Sequence, residues 1–176
     1  MYTRRSSHTL TVVALLTACA SLPLTSLAAG SISIAKQAPY AQSMSVPDAV
    51  RAECDLPGKV PVFVKEFADK SYDKVTLADN VSAKTPGQAL SMKIVGMTGT
   101  GGGAWSGPKH VTVEGTLWEN GKVKGTFTAT RYSGGGAFGG YKGTCSILGR
   151  CVKAIGKDVG EWLLAPKMNA KLGDAK

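Results

Sequence analysis

Partway along the chain the period of the hydrophobic pattern changes, and this change constrains the fold more than any other feature. Between Lys74 and Ala129 apolar and polar residues alternate, which indicates strands with one apolar face. From about Thr144 to Leu164 apolar residues instead recur at helical spacing, and Pro166 ends the run. A sheet with one apolar face and a helix with one apolar stripe bury each other. The sequence therefore predicts a two-layer α+β domain.

We expect about four strands in a mainly antiparallel sheet, packed on N-terminal helices and on the long C-terminal helix. The first helix should run from Ser45, its capping residue, to about Asp55. A second helix is indicated by apolar residues at helical spacing, namely Val60, Phe63, Val64 and Phe67. The strands are expected at four alternating groups: Val75 and Leu77; Leu90, Met92 and Ile94; Val111, Val113 and Leu117; and Val123, Phe127 and Ala129.

The turn between the third and fourth strands is predicted from the register that it imposes. A two-residue turn at Asn120-Gly121 would place Leu117 opposite Lys124, so that apolar and polar side chains would share a face. A three-residue loop that also includes Glu119 places Leu117 opposite Val123, and we therefore expect the longer loop. The other face of this hairpin should meet water or a partner through Thr112, Glu114, Thr116 and Trp118 on one strand and Lys122, Lys124, Thr126 and Thr128 on the other.

The N-terminus has the parts of a cleavable secretory signal. The pair Arg4-Arg5 precedes an apolar stretch that Pro23 interrupts. Ser26-Leu27-Ala28 then offers small residues at the cleavage positions, so we expect a cut after residue 28 or 29. A rival site, Leu16-Thr17-Ala18-Cys19, resembles a bacterial lipobox, in which Cys19 would be lipidated and the protein would be an outer-membrane lipoprotein.

The signal divides the chain into four expected parts. These are a signal peptide over 1–29, a mobile leader over 30–44, a single α+β domain over 45–166 and a tail over 167–176. Cleavage would remove two of the 21 basic residues and none of the 12 acidic ones, so 19 basic residues would remain and the net charge would be +7. This charge favours anionic partners, while single scattered lysines are also typical of an ordinary soluble surface.

Three cysteines would remain after cleavage, and an exported protein meets an oxidising compartment that favours one disulfide bond. Cys145 and Cys151 on one helix would lie about 9 Å apart, beyond the limit of about 7 Å for a bridge. We therefore expect Cys54 to bond either Cys145 or Cys151. The remaining thiol is expected to be a buried small apolar group.

A glycine-rich motif occurs twice, at 101–109 and 134–142, and both copies read Gly-Gly-Gly-Ala-aromatic-small-Gly-x-Lys. In a meander both loops leave the same end of the sheet. The candidate ligand- or partner-binding residues are therefore Trp105, Lys109, Phe138 and Lys142. Glycine N–H groups, the two lysines and the helix N-terminus near Thr144 would together hold an anion. The alternative is that the glycines only permit tight turns and the aromatic residues cap the core.

Nucleotide binding and catalysis have little support in the sequence. The run from Gly134 to Gly139 fits a dinucleotide-loop spacing, but Asp158 lies inside a helix and could not reach a ribose. His110, Glu114 and Glu119 form no recognisable catalytic set, and no histidine or cysteine cluster indicates a metal site. We therefore expect a protein that is not an enzyme and has no cofactor or metal. The alternative is a periplasmic hydrolase with an unidentified nucleophile.

Three segments resemble an uncharacterised family of small exported bacterial envelope proteins: 103–109, Arg131 to Cys151, and 156–163. The likeness covers roughly Cys54 to Asp174 and implies export, but no activity or site. The layout of an export signal followed by a strand-rich core and a helix is also similar to envelope assembly lipoproteins, such as activators of penicillin-binding proteins and the curli-secretion lipoprotein. A shared layout does not imply a shared function.

These observations predict a periplasmic or secreted binding or assembly component. The expected partner is an envelope protein or an anionic envelope component, since no aromatic-basic platform for nucleic acid is present in the pattern. Membrane association is expected only if Cys19 carries a lipid.

Overall fold

The computed structural model describes residues 1, 29–99, 107–134, 136, 138 and 141–176. Within these residues the chain is an α+β domain in which three helices cover one face of a six-stranded mixed sheet. The strands are β1 (Ala29–Ala35), β2 (Tyr72–Ala78), β3 (Gln88–Thr98), β4 (Lys109–Glu119), β5 (Lys122–Ser133) and β6 (Ala170–Gly173). The helices are α1 (Asp48–Glu53), α2 (Leu56–Ala68) and α3 (Thr144–Trp162). No helix in these ranges is long and apolar enough to cross a membrane.

The sheet has the strand order β2-β1-β3-β4-β5-β6. The four predicted strands correspond to β2 to β5, and the antiparallel pairs β3–β4 and β4–β5 form its centre. The prediction of about four, mainly antiparallel strands was wrong, because β1 pairs in parallel with both β2 and β3, and β6 pairs in parallel with β5. The α+β class and the two layers are as expected.

The first additional strand lies in the segment for which the sequence predicted a mobile leader. Ile32 and Ile34 of β1 are buried in the core, while Ser31 and Ser33 point to the other face. The alternation is thus that of a strand, but it spans only four residues between weakly patterned neighbours. The second additional strand, β6, lies in the predicted tail and is also only four residues long.

Both N-terminal helices are present, with different beginnings from those predicted. The N-cap of α1 is Pro47, and no side chain caps this helix, so Ser45 is not its cap. The N-cap of α2 is Asp55, whose side chain accepts a hydrogen bond from the Gly58 amide at 3.2 Å. Pro57 at the start of α2 needs no amide partner, which suits the first turn of a helix.

Helices α2 and α3 pack against each other at very short range. A side chain at Gly156 would meet the backbone of Phe63 at 2.8 Å, and one at Gly160 would meet the Phe67 Cβ at 2.7 Å. These two glycines, four residues apart on one face of α3, therefore allow the close contact. A disulfide between Cys54 and Cys145, with a Cα–Cα distance of 4.9 Å, ties the end of α1 to the start of α3.

The hairpin between β4 and β5 corrects the predicted turn. Glu119 pairs with Lys122, so the loop contains only Asn120-Gly121, and both residues have the positive φ that such a tight turn requires. The register then shifts by one residue at Lys124, and Leu117 faces Gly125 and not Val123. A β-bulge thus restores the apolar face that a regular two-residue hairpin would lose.

Candidate functional site

The structure describes three of the four residues predicted from the glycine motif, and these three differ in burial. Trp105 lies outside the described residues. Lys109 is fully buried, with 0% of its surface exposed. The prediction that Lys109 and Lys142 form a pair of surface lysines was therefore wrong. Phe138 is 81% exposed and has a φ of 59°, and Lys142 lies partly exposed just before α3. Of the three described residues, Phe138 is therefore the most exposed.

The burial of Lys109 follows from its place in β4. Side chains alternate along a strand, so Lys109 points to the same side as Val111 and Val113, toward the helices. Its carbonyl oxygen accepts a hydrogen bond from the Cys151 thiol at 3.6 Å. The chain at this point is therefore part of the contact between β4 and α3, and a surface ligand would not reach this side chain.

Cys151, the cysteine outside the disulfide among the described residues, is buried. Burial, together with the nearby charge of Asp174, raises the pKa of its thiol to about 11. A thiol with such a pKa is almost wholly protonated at neutral pH, and the thiolate is the nucleophilic form. Cys151 therefore has the properties of a core residue, as predicted for the leftover cysteine.

No helix of the described residues lies on the opposite side of the sheet, and we call this side the open face. Its residues on β4 and β5 are paired across the strands in register: His110 with Tyr132, Thr112 with Thr130, Glu114 with Thr128, Thr116 with Thr126, and Trp118 with Val123. The polar face predicted for this hairpin is present from Thr112 to Thr128. The prediction that Lys122 and Lys124 share this face was wrong, because the bulge places Val123 opposite Trp118 and pairs Lys122 with Glu119. Neighbouring strands add Ser91 and Lys93 from β3 and Lys171 from β6.

A depression of about 410 Å³ lies in the middle of the open face. Its rim includes the ion pair between Lys93 and Glu114, whose charged atoms are 3.1 Å apart, and Asn169 and Lys171 on the opposite side. Between them lie hydroxyl groups from three strands, those of Ser91, Thr116, Thr126 and Thr128. The depression is thus lined by hydroxyl, amide, ammonium and carboxylate groups.

Only part of this polar lining is used within the protein. Thr126 Oγ1 accepts a hydrogen bond from the Asn169 amide at 2.8 Å and donates one to Asn169 Oδ1 at 3.3 Å. Among the described residues, the side chains of Ser91, Thr116, Thr128 and Lys171 have no hydrogen bond or ion pair. These groups can therefore form hydrogen bonds with a ligand without breaking any within the fold.

Aromatic side chains lie at both ends of the open face. Trp118 is partly exposed at the hairpin end, where its cross-strand neighbour Val123 is 49% exposed. At the other end, the rings of His110 and Tyr132 are 5.1 Å apart, and Tyr132 is 58% exposed. Partial burial lowers the pKa of His110, so its ring is neutral at physiological pH.

The two acidic residues considered for catalysis are held by neighbouring basic or polar groups. Glu114 forms the ion pair with Lys93. Glu119 accepts hydrogen bonds from Lys124 and Gln88, and these lower the pKa of its carboxyl group. The lowered pKa leaves the Glu119 carboxyl group ionised at neutral pH, whereas a general acid would require a raised pKa. In the described ranges no group of three or more histidine, cysteine or acidic residues could hold a metal ion.

The net charge is concentrated away from the helices. The three helices and their capping residues contain six basic and seven acidic residues, whereas the strands and loops after residue 29 contain 13 basic and five acidic residues. The positive charge predicted for the cleaved protein therefore belongs to the strands and loops. Composition alone cannot show this, because it does not assign each lysine to a layer.

Comparison with known proteins gives distant structural matches. No family model and no curated protein matches the chain. A solved structure, the PelC dodecamer from Paraburkholderia phytofirmans, is similar over 72% of this chain and 86% of that chain, with 16% sequence identity and a TM-score of 0.46. A likeness of this size carries no argument about function. The disulfide bond, independently of this match, is typical of an exported protein.

Proposed function

We propose that this chain is an exported envelope protein that acts as a non-catalytic binding or assembly component, and that the open face is its binding surface. One observation carries the proposal: the open face holds a polar depression whose charged groups are two basic residues, Lys93 and Lys171, and one acidic residue, Glu114. Electrostatic complementarity of this kind attracts and orients an anionic partner. The disulfide between Cys54 and Cys145 supports export.

The test compares two variants that lose the same charge on opposite sides of the domain. Lys93→Gln with Lys171→Gln removes two positive charges from the rim of the depression. Lys153→Gln with Lys157→Gln removes two from exposed positions on α3. We expect the first variant to lose most of its salt-sensitive sedimentation with envelope fragments from the producing cells, and the second to retain it.

Equal loss in both variants would mean that net charge, not the open face, causes the association. A panel of ester, peptide and glycoside substrates tests the competing hydrolase hypothesis with the same protein. Turnover that is abolished by substitution of Ser133, Cys151 or His110 would overturn the non-catalytic proposal.

A further inference from the structure

The open face is a long strip, not a compact pocket. From His110 to Trp118 its side chains come from alternate residues of β4, which span about 27 Å at the rise of a strand. The partly exposed Trp118 and the mostly exposed Tyr132 mark the two ends, and the depression with its free hydroxyl groups lies between them. A ligand that contacts all three parts must be extended and must repeat the same chemistry along its length.

Each part of the strip fits one property of a sugar chain. The edge of a sugar ring carries hydroxyl groups, which both donate and accept hydrogen bonds, as do the free hydroxyls of Ser91, Thr116 and Thr128. The face of a sugar ring exposes C–H groups, which pack on aromatic rings such as those of Trp118 and Tyr132. A lipid surface would instead favour exposed apolar groups in the middle of the strip, where the structure has polar ones.

The charge of the strip selects among sugar chains. Lys171 has no ionic partner among the described residues, whereas the carboxylate of Glu114 is already paired with Lys93. The depression therefore holds two basic groups and one acidic group. The strip therefore favours negative charge on its ligand, and a carboxylate would accept hydrogen bonds from a lysine and a threonine together.

We propose that the open face binds a linear polysaccharide that carries carboxylate groups. The sugar rings pack on the aromatic residues at the ends, and a carboxylate lies in the central depression near Lys171. This inference rests on the proposed function, because it names the chemical class of the partner that the open face binds.

The experiment measures the affinity of the whole protein for four immobilised polymers. Alginate and polygalacturonate supply sugar rings with carboxylates, dextran supplies uncharged sugar rings, and polyglutamate supplies carboxylates without sugars. We expect binding to at least one of the two acidic polysaccharides, several-fold weaker binding to the other two polymers, and a marked weakening at high salt.

Three aromatic variants test the strip itself. Trp118→Ala and Tyr132→Ala should each weaken binding to the acidic polysaccharide by about fivefold or more, the usual effect of removing an important aromatic contact. Phe138→Ala is the control, because Phe138 is more exposed than either residue but lies in the glycine loop, outside β4 and β5. Tyr132 is mostly exposed, so its variant remains informative if Trp118→Ala lowers stability.

Four outcomes would overturn the inference. An affinity for polyglutamate equal to that for the acidic polysaccharides would show simple ion exchange. An affinity for dextran equal to that for the acidic polysaccharides would mean that the carboxylate has no role in binding. Unchanged binding in both strip variants would place the ligand elsewhere. Failure to bind either acidic polysaccharide, while the two rim lysines still control sedimentation with envelope fragments, would overturn this inference and leave the proposed function intact.

Discussion

The two faces of one sheet show how alternate residues of the same strand serve different purposes. On the covered face β4 contributes Val111, Val113 and Leu117, all fully buried beneath the helices. On the open face it contributes Thr112 and Thr116, which remain partly exposed. The covered face is fixed by packing, which leaves little freedom of sequence, whereas the open face is free to carry binding chemistry.

The same contrast appears in the ionic contacts. The open-face pair of Lys93 and Glu114 is exposed at both ends. On the covered side Arg131 donates two hydrogen bonds to Asp158, at 2.7 and 2.6 Å, and Asp158 is largely buried. An exposed pair contributes little to stability, while a partly buried bidentate pair fixes the position of α3 on β5. We therefore expect substitutions on the covered side to affect stability and those on the open face to affect binding.

Among changes on the covered side, loss of the disulfide should lower the free energy of unfolding the most. The bond between Cys54 and Cys145 closes a segment with a sequence separation of 91 residues. Restricting the unfolded chain over such a length contributes about 4–5 kcal/mol in the chain-entropy model. Urea unfolding of the Cys54→Ala, Cys145→Ala double variant should show this loss.

The control for the disulfide is Cys151→Ala, which removes a buried thiol but no cross-link. This substitution should lower the free energy of unfolding by about 1 kcal/mol, the typical effect of a small core substitution. A double variant as stable as this control would contradict a role for the disulfide in holding α1 on α3.

Neighbouring residues of β4 offer the sharpest test of the contrast between faces. Leu117→Ala should cost about 3 kcal/mol, because it leaves a cavity beneath the helices. Thr116→Ala, one residue away on the open face, should cost less than about 0.5 kcal/mol. The midpoints of denaturant unfolding measure both. Similar losses in the two variants would mean that the open face is packed as tightly as the core.

Two glycines of α3 allow a similar comparison within one helix. Gly156→Ala should destabilise the protein by about 1–3 kcal/mol, because the new methyl group would collide with the backbone of Phe63. In Gly149→Ala the new methyl group would meet no atom within 4 Å, so this substitution should stabilise the helix by up to about 1 kcal/mol. Thermal unfolding would show opposite shifts. Shifts in the same direction would contradict the close contact between α2 and α3.

Much of the fold could be predicted because its helices and its central strands are long enough to show a period. The four-residue alternation of Ser31 to Ile34 is too short for that, and its partners β2 and β3 lie about 40 or more residues away. The bulge at Lys124 could not be predicted either. A hairpin can correct its register by a bulge or by a longer loop, and the hydrophobic pattern alone does not distinguish between them.

The candidate site was only partly predictable, for a different reason. The repeated glycine motif directed attention to Lys109, although alternation from Val111 already placed that residue on the covered face. The open-face residues Thr112 to Trp118 were predicted to meet water or a partner. Their combination with Asn169 and Lys171 needed β6, a strand that the sequence did not reveal.

The smallest expected effect concerns His110, a partly buried member of the open face. Burial lowers its pKa below the ordinary value of 6.5, so the native state resists protonation more than the unfolded state does. As the pH falls below 6.5, the unfolded chain takes up this proton first, and the native state loses stability until the lowered pKa is passed. Well above pH 6.5 the ring is neutral in both states, and the residue contributes no pH dependence. The difference in unfolding free energy between wild type and His110→Gln should therefore be constant from pH 8 to about pH 7 and should shift against the wild type toward pH 5. A difference that stays constant over the whole range would mean that His110 is as well hydrated as in the unfolded chain, and that this end of the open face is more open to water than its contact with Tyr132 indicates.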